Sequence, residues 1–163
     1  GKLPAFVACD DDEVASWATS CGAEVLWGPG LGLNGAIDHG VGIIARRGFD
    51  HVMVAHGDLA LPATLAAVPR PDEIVLVPDR RRDGTNVLSR PCAITFAASY
   101  GRGSFPRHVE AALASGVPVR VIADAMLALD IDTIDDCHHP LVAPVLRAAG
   151  VLLDQPSIVG EPA

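Results

Sequence analysis

Aromatic residues are scarce, seven in 163 or 4%, so a core has to be built from the Ala, Val, Leu and Ile that dominate the apolar half of the chain. Such branched aliphatics in short runs suit the buried strands of an α/β sheet. Basic residues are also few: 12 Lys and Arg stand against 20 Asp and Glu, for a formal net charge of -8. A surface of that sign repels a polyanionic backbone and argues against nucleic acid as a partner. No apolar run approaches the ~20 residues that span a bilayer, and no basic segment followed by an apolar signal core opens the chain. A soluble, cytoplasmic protein with no membrane contact is expected. The four cysteines, Cys9, Cys21, Cys92 and Cys137, contain no Cys-x-x-Cys pair, which gives neither a zinc knuckle nor a disulfide framework. Cys137, His138 and His139 are adjacent, and adjacent side chains rarely converge on one ion. A Gly-rich, lysine-containing loop after a first strand, the usual phosphate cradle of a nucleotide-binding α/β domain, is lacking, and residue 1 is Gly rather than Met. Both point to a missing N-terminal strand and phosphate loop.

What is present reads as one domain over residues 1–150, followed by a tail, 151–163, with two prolines and no periodicity. At this length roughly two thirds of the unfolded surface can be buried. Short apolar runs alternate with longer amphipathic stretches, the pattern of βαβ units and a mostly parallel sheet flanked by helices. Strands are expected at 3–8, 24–27, 50–55, 73–77 and 119–122, with strand-like pieces at 87–88 and 92–96 that suggest a hairpin or an antiparallel excursion. The run 50–55 is the most apolar and the expected centre of the sheet. Helices are expected at 13–20, 34–47, 63–67, 106–115 and 140–149, the fourth capped by Ser104.

Five segments carry candidate chemistry. His56-Gly57-Asp58-Leu59 closes the central strand, where open α/β sheets bind ligands, and Asp58 is placed to hold a metal; read alone, such an Asp is more often a turn or cap. In Leu129-Asp130-Ile131-Asp132-Thr133, residues two apart on an extended segment share a side. Asp130 and Asp132 then present two carboxylates that repel unless a cation intervenes, and magnesium suits such hard oxygen donors. A solvated acidic turn is the alternative. Asp83-Gly84-Thr85-Asn86 is a tight turn with donors for carboxylate or phosphate oxygens. Tyr100-Gly101-Arg102-Gly103-Ser104-Phe105 leads into a helix N-terminus, which attracts anions, with Arg102 and His108 adding positive charge. Gly28-Pro29-Gly30-Leu31-Gly32-Leu33-Asn34 allows close approach of a sugar or base without matching the dinucleotide fingerprint. The row Arg80, Arg81 and Arg82 reads as a solvated loop or a local anion site.

In this order the segments resemble the 2-phospho-L-lactate guanylyltransferase family of coenzyme F-420 biosynthesis, including its phosphoenolpyruvate and 3-phosphoglycerate variants, a branch of the Rossmann-like nucleotidyltransferases. The match runs from about residue 5 to 149. It rests on Gly32-Leu33-Asn34, Gly57-Asp58-Leu59, Asp83-Gly84-Thr85-Asn86, Tyr100-Gly101 with Gly103-Ser104-Phe105, and Asp130-Ile131-Asp132-Thr133. The resemblance implies that Asp58, Asp130 and Asp132 coordinate Mg2+ and form the catalytic set. It implies that Thr85, Gly101 and Ser104 hold the phosphate and carboxylate of an acceptor acid, and that Gly32 and Asn34 lie near the nucleotide. GTP and a small phosphorylated acid are the implied partners, pyrophosphate the released product, with a homo-oligomer left open. The family's lysine loop has no counterpart in these residues, and Ala60 stands where a proline is common. A nucleotidyltransferase acting on a pterin cofactor or sugar phosphate, and a non-catalytic nucleotide-sensing domain, are the other readings. No residue singles out the base or the acid.

Overall fold

The computed structural model describes residues 3–153. The chain order is β1 (Phe6–Cys9), α1 (Asp12–Ser20), β2 (Glu24–Trp27), α2 (Gly32–Arg46), β3 (His51–Ala55), a 3-10 turn (Pro62–Ala67), β4 (Ile74–Pro78), β5 (Thr85–Pro91), α3 (Ser104–Ala114), β6 (Val119–Val121), α4 (Ile134–Cys137) and α5 (Ala143–Ala148). Local chemistry sets several boundaries. The Asp11 carboxylate accepts the Glu13 and Val14 N–H groups at 2.9 and 3.0 Å, meeting donors that a helix start leaves unpaired. At α3 the capping residue is Gly103, in the left-handed region at φ 71, and no side chain caps the helix. Ser104, expected as the cap, is instead the first helical residue.

The described strands form two sheets. β1 and β2 pair in parallel, and a second sheet has the order β3-β5-β4-β6. Within it β5 runs antiparallel to both β3 and β4, while β6 is parallel to β4. The mostly parallel sheet read from the sequence is therefore corrected to a mixed one. Only residues 79–84 join β4 to β5, too few for the crossover that a parallel neighbour requires. The expected centre is corrected too. β3 lies at one side of this sheet, whereas β4 is buried throughout and lies between β5 and β6. Residues 92–96 form no strand; the ladder ends with β5 at Pro91.

Strand alternation sorts the core onto two faces. Val75, Val77 and Val87 pack with Val68 and Leu127 on one side; Ile74, Leu76 and Leu88 pack with Phe96 and Ala112 on the other, under α3. A third cluster, Leu26, Val41, Ile44 and Val52, joins β2, α2 and β3. The apolar run after β6 is irregular rather than a strand, yet Leu127 and Leu129 are both buried. That anchoring delivers Asp130 to the sheet. The expected closing helix, 140–149, is observed as α5, with the separate short α4 before it, and the tail beyond residue 153 lies outside the described residues.

Candidate active site

Past the end of β3, the His56 N–H donates to the Asn86 carbonyl at 3.1 Å, which keeps the chain on the sheet to its last residue. The backbone then turns through Gly57 and Asp58, and Leu59 meets Asp130 in an isolated antiparallel bridge. Two bonds fasten it: Ala60 N–H to the Leu129 carbonyl and Ile131 N–H to the Asp58 carbonyl, each 3.1 Å. Two acidic segments far apart in sequence are thereby held on one edge, with Asp132 following. Burial pushes the half-buried Asp130 carboxyl above its usual value, and the charges of Asp132, Asp58 and Asp79 push it the same way. Asp79 is an addition that the sequence reading passed over. It directly follows the apolar strand β4, and that position was its available signal.

Asp79, Asp130, Asp132 and Asp136 line an open cleft with Arg80 and Arg81. Arg80 pairs with Asp136, whose carboxylate also accepts the Thr133 N–H at 2.8 Å and the Thr133 hydroxyl at 2.9 Å. The arginine row thus does more than lie in a solvated loop: two of its members face the acidic edge. Among the described residues, no three His, Cys, Asp or Glu side chains converge closely enough to hold a metal ion alone. The donor set nevertheless fits magnesium. This ion keeps several waters and is usually held by one or two carboxylates together with substrate phosphates, and like-charged carboxylates such as these favour a cation among them.

A second group of candidate residues is built from β5 and the entry to α3. The Asp79 carboxylate accepts the Asp83 and Gly84 N–H groups at 3.0 and 2.9 Å, folding the β4–β5 loop over itself. Asp83 in turn accepts the Gly103 N–H at 3.0 Å through its side chain and the Phe105 N–H at 2.9 Å through its carbonyl. Two N–H groups at the start of α3, expected to attract a substrate anion, are therefore engaged by Asp83. Thr85 and Ser104 are brought together, both buried, with the Thr85 N–H donating to Ser104 Oγ at 3.0 Å. Gly101 is exposed at φ 107 beside them in sequence.

His108 is fully buried between these residues. Its Nε2 accepts the Ser99 N–H at 3.1 Å, which places the proton on Nδ1, 3.0 Å from Thr85 Oγ1. Burial, with Arg107 and His56 adding to it, lowers its pKa to about 4. His108 is neutral at physiological pH, which corrects its expected contribution of positive charge. Asn34, at the start of α2, bonds the backbone of Tyr100 with both ends of its amide. Gly32 is the first residue of that helix, in the left-handed region at φ 62.

The described fold is mixed α/β, and it resembles a solved structure, a candidate nucleotide-diphospho-sugar transferase from Desulfovibrio desulfuricans G20, with a TM-score of 0.59 over 90% of this chain and 72% of that one. At 15% identity the likeness is one of fold alone. Sequence supplies the finer statement: residues 2–142 match the family described as guanylyl transferase CofC like, and the chain belongs to that family. A phosphoenolpyruvate guanylyltransferase from Sphaerobacter thermophilus is 36% identical over 79% of this chain and 65% of its own length. A second, from Rubrobacter xylanophilus, is 36% identical over 83% of this chain and 69% of its own length. A 2-phospho-L-lactate guanylyltransferase from Methanothermobacter thermautotrophicus is 27% identical over 80% and 60%. The chain thus spans about two thirds of the length of these relatives. No described helix is long and apolar enough to cross a membrane.

Proposed function

We propose that this chain carries the guanylyltransferase reaction for which its relatives are named: GMP passes from GTP to a small phosphorylated carboxylic acid, with release of pyrophosphate, in coenzyme F-420 biosynthesis. The observation that carries the reading is the bridge between Leu59 and Asp130. It sets Asp58, Asp130 and Asp132 on one edge, where each of the other two raises the carboxyl of Asp130. Asp58, Asp130 and Asp132 would hold Mg2+, which when bound supplies charge neutralisation at the phosphates. Thr85, Gly101 and Ser104 would receive the acid, with Asn34 and Gly32 on the nucleotide side.

A phosphate oxygen of the acid attacks the α-phosphorus of GTP; the new P–O bond forms as the bond to the β-phosphate oxygen breaks, and pyrophosphate leaves. No protein nucleophile is required. Catalysis of this kind rests on positioning and on cationic groups near the developing charge. Arg81, which forms no ion pair with any described residue, is placed at the cleft for that purpose.

Phosphoenolpyruvate, 2-phospho-L-lactate and 3-phospho-D-glycerate each present a carboxylate and a phosphate on a short carbon frame, and the relatives' names favour the first of them. Incubation with GTP, magnesium and each acid in turn, followed by mass analysis, tests the proposal. Formation of a guanosine diphosphate-linked acid is expected. Absence of that product with all three acids, or equal transfer from ATP and CTP, would defeat the assignment of acceptor or of base respectively.

A further inference from the structure

Two buried side-chain atoms have no hydrogen-bond partner among the described residues: His56 Nε2 and Tyr100 Oη. Tyr100 is only 6% exposed. A hydroxyl shut away from water without a partner carries a desolvation cost, and two such atoms in neighbouring side chains need a common explanation. The His56 and Tyr100 rings lie 5.1 Å apart, and Tyr100 meets the His108 ring edge-on at 4.7 Å. His56 is two residues from Asp58 at the end of β3, and Tyr100 directly precedes Gly101. The pair thus links the acidic edge to the group that holds Thr85 and Ser104.

The polar groups around the pair have one chemical character. The tautomer of His108 directs its Nδ1–H to Thr85 Oγ1, so the threonine hydroxyl is left with its own proton to donate. Ser104 Oγ accepts the Thr85 N–H, and its proton has no acceptor among the described residues. Tyr100 Oη donates one proton, and His56 donates from Nε2 when its proton is there. Tyr100 Oη and His56 Nε2, on neighbouring rings, are without an acceptor among the described residues, and an oxyanion satisfies such donors.

We propose that His56 Nε2 and Tyr100 Oη bind an anionic oxygen of the small phosphorylated acid, extending the acceptor site beyond Thr85, Gly101 and Ser104. The inference rests on the function proposed above. Both atoms are closed to solvent as the chain stands, so the acid reaches them through a local shift of the irregular segment 97–103 that carries Tyr100. That segment is held by Asn34 and Asp38 from α2, by Arg107, which donates to the Ser99 and Arg102 carbonyls at 2.8 and 2.7 Å, and by His108 and Asp83, which accept the Ser99 and Gly103 N–H groups.

Tyr100→Phe removes one oxygen and keeps the ring, and His56→Phe keeps a ring without its nitrogens. Thermal unfolding of the parent and both variants is followed with and without phosphoenolpyruvate, 2-phospho-L-lactate and 3-phospho-D-glycerate, alongside Michaelis constants for the acid and for GTP. At least one acid should raise the parent's melting temperature, and both variants should lose most of that rise. The Michaelis constant for the acid should increase about tenfold, while that for GTP stays within twofold. If Tyr100→Phe melts higher than the parent and responds to the acid as the parent does, the hydroxyl merely holds a buried water and the proposal falls, with the guanylyltransferase reading intact. A parent that is neither stabilised by nor active on any of the three acids overturns both.

Discussion

Asn34 holds Tyr100 by both backbone polar groups: its Oδ1 accepts the Tyr100 N–H at 2.7 Å and its Nδ2 donates to the Tyr100 carbonyl at 3.4 Å. The contact ties α2 to the segment that leads into α3, across 66 residues of chain. Replacing Asn34 by Ala leaves a part-buried N–H and carbonyl without their partner, which should cost about 1–3 kcal/mol of stability. Urea unfolding measures this directly. A midpoint unchanged from the parent would mean that solvent replaces the amide fully and that the clamp positions nothing.

Asp130 supplies a prediction with opposite signs for stability and for activity. Its carboxyl titrates above the ordinary value, so the folded chain holds that proton more tightly than the unfolded chain does. The ionised form therefore opposes folding at neutral pH, and the opposition fades as pH falls through the raised pKa. Asp130→Asn should unfold at a higher temperature than the parent at pH 7 in EDTA, with the difference shrinking toward pH 3. The same variant should lose GMP transfer together with its response to magnesium. An Asn variant less stable than the parent in EDTA would show that the carboxylate is needed by the fold and is no strained cation seat.

His108 gives the reverse pH dependence. Its pKa falls from the ordinary 6.5 to about 4 in the folded chain, so the unfolded chain binds the proton more tightly between those values. Stability is complete above about pH 6.5 and is lost as pH falls toward 4, by about 3 kcal/mol for a shift of this size. His108→Gln keeps a donor and an acceptor and removes the titration. The slope of unfolding free energy between pH 4 and 6.5 should then flatten; an identical slope in the variant would assign the acid sensitivity to other groups.

The acidic edge was legible in the sequence because a glycine and a carboxylate just past an apolar run mark a strand end, and Gly57-Asp58 after β3 is such a case. Asp130 and Asp132 were legible for another reason: alternation on an extended segment puts both on one side, and the observed bridge at Asp130 holds that segment extended. The reversal of β5 was readable only in outline, from a short polar loop between two apolar runs. Burial of polar groups was not readable at all. His108 looks like a surface cation on a helix until Phe96, Tyr100 and Thr85 close around it, and all three come from outside α3. Asn34 looked available to a ligand because its partner, Tyr100, comes from another segment. Donors at a helix start likewise looked open until Asp83, 20 residues before Gly103, engaged two of them.

Thr85 and Ser104 carry both packing and the proposed substrate contact, and the two roles can be separated. Ser104→Ala removes the acceptor of the buried Thr85 N–H, so a stability loss of about 1–3 kcal/mol is expected whatever the chemistry. Thr85→Ser keeps the hydroxyl that meets His108 and gives up only a methyl group, so its loss should be smaller, roughly 1 kcal/mol. If these residues receive the acid, Ser104→Ala raises the Michaelis constant for the acid about tenfold, the value of one hydrogen bond of ~1.4 kcal/mol, and moves that for GTP less. Thr85→Ser should leave both constants near the parent's, because the donor survives. Assays are run well below the melting temperature of each variant, so that loss of folded protein lowers the maximal rate and leaves the Michaelis constants unaffected. A rise in the GTP constant with the acid constant unchanged would mean that the acid and nucleotide sub-sites are the other way round, with the β5–α3 group facing the nucleotide.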